Sequence, residues 1–402
     1  MYSTAPVERL PFRRHIAEVI WTAEPSLGGI TGSLPDFTDA LCSEGRYDSK
    51  ILAVVGNRKQ GLMRDLHKET VTFPSGMLRW LCQRRLHARM REIAKEAAVI
   101  HIHGLWREHG LAATSAARKL SIPYVYSAHS MLNEQALRNK RLKKLIYAAL
   151  FERRCLGGAS ALRALTRFEM EAYRKFGIKV PIIVVPNGVH LPKDSSSKAF
   201  FDNFPALIGK QLILYMGRLH PYKCPDVLVR AWSKMAARFP DAHLVLAGPD
   251  EVGTKDSLVR LAEECGIKTR VTFTGNLNGE TKWGALNAAD VFVLPSRSEG
   301  LSMALLEALA CSRPVILTRG CNFPEVEAHQ AGLIIDHDEN HLERALTDVL
   351  RLSPRERFDM GARGRELVKS KYTWASVARS MADVYDWLLG GNRPSTVEIY
   401  DR

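Results

Sequence analysis

The sequence lacks any apolar run near the ~20 residues that a membrane span requires. It also lacks a signal-like start, because Glu18 interrupts the short apolar stretch that follows Arg13 and Arg14. Its seven cysteines include no C-x-x-C pair. An odd, scattered set of this kind predicts free thiols in a reducing cytoplasm. Neither G-x-G-x-x-G nor G-x-x-x-x-G-K-[ST] occurs anywhere in the 402 residues. Both absences count against a nicotinamide dehydrogenase and against a nucleoside triphosphatase. What remains is a chain long enough for two or three domains with real cores.

Acidic charge is scarce in one half only. Residues 1–190 hold 30 Lys and Arg against 16 Asp and Glu, whereas residues 191–402 hold 27 of each, so the net charge of +14 belongs to the first half. Two stretches dominate it, Arg79 to Arg91 and Arg138 to Lys144 followed by Arg153-Arg154. Such concentration predicts an anionic partner: lipid, a diphosphate-bearing substrate or nucleic acid.

Short apolar runs alternate with amphipathic ones. In the second half strands are predicted at Leu212–Met216, His243–Ala247, Val271–Thr274, Val291–Leu294, Val315–Thr318 and Leu333–Asp336, with helical patterns between them, such as Pro225–Arg238. The first half repeats the rhythm at Ile16–Trp21, Ile51–Val55, Val99–His103, Tyr124–Ser127 and Ile182–Val185. This alternation predicts parallel sheets covered on both faces, an α/β class. The Ser-rich stretch Lys193–Lys198 separates the halves. Two doubly wound, Rossmann-like domains facing across a cleft are expected, residues 1–192 and 193–373, with a helix at 374–390 returning to the first. Order is not expected in the last ten residues.

The most informative residues are Glu299 and Glu307, eight apart in the segment from Arg297 to Glu307. Glu299 falls in a turn after a buried strand. Glu307 falls two turns into a helix, predicted over Leu301–Ala310, that is apolar almost all round and holds no Lys or Arg. A buried carboxylate is costly unless something binds it. Two acids around a helix N-terminus suit a polyhydroxyl ligand that carries a phosphate, since hydroxyls donate to the acids and the free helix amides take the anion.

Other residues are weighed against this pair. Gly217-Arg218 and Lys223 follow a strand and open a helix that has Pro225 in its first turn, a pattern suited to a diphosphate. Gly28-Gly29 follows the first predicted strand and allows close backbone approach. His129 closes the strand Tyr124–Ser127 at its carboxyl end, where a structural role and an active-site role are equally open. His101 and His103 share one strand face, with no third and fourth metal ligand evident, and read as cleft or core residues. Asp336-His-Asp338 has the form of a metal motif, but N-capping of the following helix explains it. No metal site is expected.

Together these residues resemble family 4 of the retaining nucleotide-sugar glycosyltransferases, with the two-domain GT-B fold. The E-x7-E element at Glu299–Glu307 carries most of the resemblance. Gly217-Arg218 with Lys223, Val185-Pro-Asn-Gly-Val189, Phe273-Thr-Gly275 and Ala247-Gly-Pro-Asp250 add to it. The resemblance implies that Arg218 and Lys223 hold the donor diphosphate, Glu299 the sugar hydroxyls and Glu307 the ribose. It also implies that the Gly300 and Leu301 amides face sugar or phosphate, that Asn276 and Leu277 lie near the base, and that Gly28 and Gly29 approach the phosphate. His129 would contact the transferred sugar. One departure stands out: Glu-Gly-Leu-Ser-Met occurs where many members have Glu-Gly-Phe-Gly.

The expected activity is transfer of a hexose from a nucleotide diphosphate sugar to a hydroxyl acceptor with retention, without metal or other cofactor. The cations and helix amides would stabilise the leaving diphosphate. Front-face displacement is the expected route, since no acceptor-side carboxylate stands out as a nucleophile. The basic first half suits a glycan or lipid-linked acceptor in polysaccharide, capsule or lipopolysaccharide synthesis. A helix at Arg138–Phe151 would lie on an anionic inner membrane surface. The rivals are a nucleotide-sugar epimerase of the same fold and a nucleic-acid binder. The second needs aromatics interleaved with cations, which are not evident.

Overall fold

The computed structural model describes residues 13–22, 29–56, 68–73, 79–138, 140–194 and 196–401; Gly28 lies outside these. The chain divides into two compact units, residues 1–185 with 378–402, and residues 186–377. These divisions fall at 185/186 and 377/378, against the expected 192/193 and 373/374. The difference has a physical cause inside the second unit. The Val189 amide donates to the Tyr372 carbonyl at 2.8 Å, and a Cβ on Gly188 would lie 2.6 Å from the Trp374 backbone.

In the first unit β1 (Arg14–Ile20), β2 (Tyr47–Gly56), β3 (Lys68–Phe73), β4 (Ala97–His103), β5 (Tyr124–Ser127), β6 (Ala161–Ala164) and β7 (Ile182–Val184) are parallel. The second unit contains β8 (Gln211–Met216), β9 (Ala242–Ala247), β10 (Val271–Gly275), β11 (Val291–Leu294), β12 (Val315–Thr318) and β13 (Gly332–Ile335), again all parallel. A last strand, β14 (Glu398–Tyr400), pairs antiparallel with β7. The last residues are therefore not the structureless tail that the sequence suggested. β6 also escaped the sequence reading, because Arg163 interrupts its apolar run.

The sheet orders are β14-β7-β6-β5-β4-β1-β2-β3 and β10-β9-β8-β11-β12-β13. In each, the first strand of the unit sits inside the sheet and the chain winds outward on both sides. The winding reverses between β1 and β4 in the first unit and between β8 and β11 in the second. Ligands of doubly wound sheets collect at the carboxyl ends of strands flanking such a reversal. In the second unit β11 is apolar throughout because both faces are covered, and every one of its residues is buried.

Two expectations about helices are corrected. Helix Met303–Ala310 starts two residues later than predicted, because the Ser302 hydroxyl caps it by accepting from the Leu305 amide at 3.4 Å. The single helix expected at Arg138–Phe151 is broken. Glu134–Arg138 ends one helix, Lys140 sits at φ 53°, and Arg141–Tyr147 begins another that continues through a π-turn at Ala148–Glu152. Asp338 is the N-cap of helix Glu339–Arg351, accepting from the Asn340 and His341 amides at 2.8 and 3.0 Å, as the capping explanation required.

Candidate active site

The second unit brings three of the predicted residues together at its strand reversal. β8 ends at Met216 and releases Gly217–Lys223; β11 ends at Leu294 and releases Ser296–Glu299. The Lys223 ammonium donates to Glu299 Oε1 at 2.6 Å, and the Ser296 hydroxyl donates to the same oxygen at 2.6 Å. The Arg297 amide donates to the Tyr222 carbonyl at 3.0 Å, which ties the two loops together by backbone. The Tyr222 ring lies between Arg218 and Lys223, 5.9 and 5.8 Å from their charged groups, and its hydroxyl accepts from Arg218 at 2.7 Å. Arg218 is half-exposed and turns partly to Glu251 at 3.4 Å. Its guanidinium is held by a neutral hydroxyl and a distant carboxylate, so it retains most of its capacity to bind an anion.

Glu299 itself is fixed from behind. Its amide donates to the Gly320 carbonyl at 2.8 Å, and its carbonyl accepts from Asn322 at 2.9 Å. Glu299 is buried, at 8% exposure. The residue after the neighbouring strand β9 is equally constrained: a Cβ on Gly248, which has φ 145°, would lie 1.9 Å from the Gly217 carbonyl oxygen. Only glycine permits that approach.

Glu307 corrects the sequence argument. No cation lies in its own helix, yet Lys282 from helix Gly279–Ala288 donates to Glu307 Oε1 at 2.7 Å. Glu307 is half-buried rather than buried. Each of the two acids therefore has a lysine, and burial without a partner no longer argues for a ligand. What argues for one is the placement of the Lys223–Glu299 pair beside a helix N-terminus at a strand reversal, with the Lys282–Glu307 pair further along the same helix. Lys282, Ser296 and Tyr222 were missed; Lys282 gave no sequence signal, because its partner is 25 residues away.

The remaining expected residues are dispersed. Gly300 and Leu301 lie in the turn before Ser302, half-buried, and Leu301 packs on the core. Asn276 and Leu277 follow β10, the edge strand; Asn276 is exposed and Leu277 is a core residue. Gly29 opens helix Gly29–Glu44 in the first unit, and a Cβ there would meet nothing within 4 Å.

His129 belongs to the first unit, at the end of β5. It has φ 51° and Ser130 has φ 64°. Two successive non-glycine residues in the left-handed region are uncommon and cluster at functional sites. They are clamped: Tyr173 accepts from the Ala128 amide at 2.6 Å, and Glu169 accepts from the Ser130 amide at 2.5 Å. Below His129 lie His103, His101 and Glu18, a layer on one face of β1 and β4. Their ligand-type atoms lie within 4.8 Å of one another. Glu18 Oε2 is 2.6 Å from His103 Nε2, however. Two nitrogen or oxygen ligands of a tetrahedral ion held at ~2 Å would stand about 3.3 Å apart. The spacing is that of a hydrogen bond.

Comparison with known proteins accords with this geometry. The family model described as "Glycosyl transferases group 1" matches residues 198–367, and that described as "Glycosyl transferase 4-like domain" matches residues 50–188. A D-inositol 3-phosphate glycosyltransferase of Mycobacterium leprae is 26% identical over 356 residues, covering 84% of this chain and 78% of that protein. A GDP-mannose-dependent alpha-(1-6)-phosphatidylinositol monomannoside mannosyltransferase of Mycobacterium tuberculosis is 30% identical over 220 residues, covering 52% and 56%. Among solved structures, a sucrose-phosphate synthase from Thermosynechococcus elongatus superimposes with a TM-score of 0.75 at 20% identity, covering 94% of this chain and 99% of its own. With the E-x7-E element and its lysines at the strand reversal of the second unit, this chain belongs to family 4 of the retaining nucleotide-sugar glycosyltransferases, has the two-domain α/β fold of that family, and is a hexosyltransferase.

Proposed function

We propose that this enzyme moves a hexose from a nucleotide diphosphate sugar to a hydroxyl of a lipid-carried acceptor, without a metal ion. The observation that carries the donor side is the Lys223–Glu299–Ser296 cluster with Arg218 beside it. Lys223 and Arg218 take the diphosphate, and the charge that grows on it as the glycosidic bond breaks meets these cations and the amides before helix Met303–Ala310. Glu299, already oriented by Ser296, accepts from sugar hydroxyls. Glu307 accepts from the ribose hydroxyls, with Lys282 holding it in place. Gly217 and Gly300 allow close backbone approach, Leu301 and Asn276–Leu277 border the ligand, and His129 is assigned a contact with a sugar or phosphate oxygen.

Two observations favour a lipid-carried acceptor. The relative from Mycobacterium tuberculosis is named for a phosphatidylinositol mannoside substrate. The surface around helix Arg141–Tyr147 exposes Leu142, Leu145, Ile146, Leu150 and Phe151, at 70, 59, 54, 62 and 39%. Arg138, Arg141, Lys143, Arg153 and Arg154 flank it, all exposed. An apolar stripe with a cationic border suits the face of an anionic membrane. Among the described residues no helix is long and apolar enough to cross a membrane. The epimerase alternative draws no support from the relatives, which are named as transferases.

Mass-spectrometric product analysis with UDP-, GDP- and ADP-hexoses tests the reading, with and without vesicles containing phosphatidylinositol or a lipid-linked glycan. A transferred hexose on a lipid acceptor is expected. Interconversion of the donor with no acceptor consumed would sink it.

A further inference from the structure

The first unit carries a chain of hydrogen bonds behind His129 whose inner members, Glu18 and His103, have no part in the donor chemistry assigned above. Glu18 Oε2 lies 2.6 Å from His103 Nε2, and His103 Nδ1 lies 2.9 Å from His129 Nε2. Glu18 and His103 are at 0 and 1% exposure, whereas His129 is half-buried. Among the described residues His129 Nδ1 has no hydrogen-bond partner, and it is not sealed from solvent. The chain therefore begins in the core at the strand reversal between β1 and β4, and ends at an open ring nitrogen held on left-handed backbone.

Each link holds one hydrogen, so neutral rings allow two fillings. When Glu18 is ionised, its carboxylate accepts from His103 Nε2–H. His103 Nδ1 then accepts from His129 Nε2–H, and His129 Nδ1 is a bare lone pair. When Glu18 is protonated, its O–H donates to His103 Nε2. His103 Nδ1–H then donates to His129 Nε2, and the hydrogen of His129 sits on Nδ1. The fillings differ by one proton. A proton arriving at His129 Nδ1 displaces one from Nε2 to His103 Nδ1, and one from His103 Nε2 to Glu18. Every ring ends neutral.

We propose that Glu18, acting through His103, sets whether His129 presents a hydrogen-bond donor or an acceptor at Nδ1, which makes Glu18 and His103 positioning residues for His129. The surroundings favour keeping the charge change on Glu18. Burial pushes its carboxyl up to about 8, against the pull of Arg163, Ser49 and Tyr385. Burial, with the charge of Arg163, holds His101, His103 and His129 well below the usual imidazole range, so none of the rings takes a second proton near neutrality. His101 stands beside the chain, 3.3 Å from Glu18 Oε2, but its own nitrogens are engaged by Tyr385 at 2.7 Å and Ser127 at 2.8 Å. Glu169, bound to the amides of Ser130 and Leu165, His109, bound to the His103 carbonyl, and Tyr173, bound to the Ala128 amide, are further titratable groups around it. Near neutral pH the geometry leaves Glu18 protonated and His129 a donor, ready for a sugar or phosphate oxygen; in alkaline solution it becomes an acceptor.

That the switch acts on transfer rests on the role proposed above for His129; the tautomer itself does not, and is measured without donor or acceptor. In full-length protein labelled with ¹⁵N-histidine, with His129 assigned by its loss in His129→Asn, the Nδ1 and Nε2 shifts of His129 should exchange character with a midpoint near pH 8. A single tautomer throughout about pH 6 to 10 overturns the proposal. Glu18→Gln offers an amide N–H to His103 Nε2 and should lock the Nδ1–H form at every pH. Its kcat/KM for hexose transfer should lose the alkaline fall that the parent shows, while activity near neutrality stays within about threefold. An alkaline fall retained unchanged in Glu18→Gln also overturns the proposal. Absence of any transfer would instead count against the activity, not against the relay.

Discussion

The two strand reversals place acids in opposite settings. In the second unit Glu299 and Glu307 each face a lysine near the rim, with side chains of the pairs 9 to 26% exposed. In the first unit Glu18 has no lysine partner among the described residues; it faces two imidazoles at zero exposure, with Arg163 behind. The cost of desolvation explains the difference. Near water an ion pair is held at modest expense, whereas in a closed core a carboxyl is cheaper neutral than charged. The consequence is functional. A pair of opposite charges offers fixed charge to a ligand that brings hydroxyls and phosphate, while an acid bonded to neutral rings offers a proton that can move.

Breaking the rim pairs should have the largest effect. Lys223→Met removes a cation proposed to hold the diphosphate and takes away the lysine partner of Glu299. Transfer should fall by about 10²–10³-fold, the scale of a lost oxyanion donor, and equilibrium unfolding should show a loss of about 3 kcal/mol. Unchanged kcat/KM would refute the cluster as the donor site. Glu307→Gln keeps the shape and most hydrogen bonds. Donor affinity, read by calorimetry, should weaken about tenfold, as for a hydrogen bond to a charged group, with the fold retained; an unaltered dissociation constant would remove Glu307 from the site.

The scaffold under the rim gives a smaller effect. Gly248→Ala must displace the Gly217 carbonyl, which the added Cβ would approach to 1.9 Å. A loss of about 2 kcal/mol is expected by denaturant unfolding, together with a weaker hold on the diphosphate through Gly217-Arg218.

The core acid predicts the shape of the pH dependence. A folded-state carboxyl raised from 4.5 to about 8 binds a proton that the unfolded chain has lost. Stability from Glu18 is therefore full below pH 4.5 and falls as pH rises toward 8, by at most about 1.4 kcal/mol per pH unit. The depressed histidines act oppositely: the unfolded rings take protons near 6.5 that the folded rings refuse, so stability falls as pH drops below 6.5. Denaturation midpoints should peak near pH 6.5, and Glu18→Gln should flatten the alkaline limb alone. A limb unaffected by that substitution would contradict the buried charge. Smallest is the surface effect. Leu145→Glu with Ile146→Glu should reduce sedimentation with anionic vesicles at low salt without altering activity on a soluble acceptor.

Much of the second unit was legible. Its strands β8 and β11 are nearly unbroken apolar runs, and Glu299, Arg218 and Lys223 fall in the loops after them, so position along the chain reported position in the fold. The first unit was less legible. The apolar run of β6 is cut by Arg163, which is buried because the Val185 carbonyl and the Phe37 ring receive its guanidinium. Glu18 read only as an interruption in an apolar stretch, and His101 and His103 as cleft or core residues.

Sequence alone determined the α/β class, the positions of most strands along the chain, the loops that bear the proposed donor residues and the family, because these depend on local periodicity and on residues close in the chain. Tertiary structure alone decided the partners of the charges. Lys282 reaches Glu307, and Glu18 reaches His103 across 85 residues. Whether an acid ends as half of an ion pair or as a proton carrier depends on what the fold packs against it and on how much water remains.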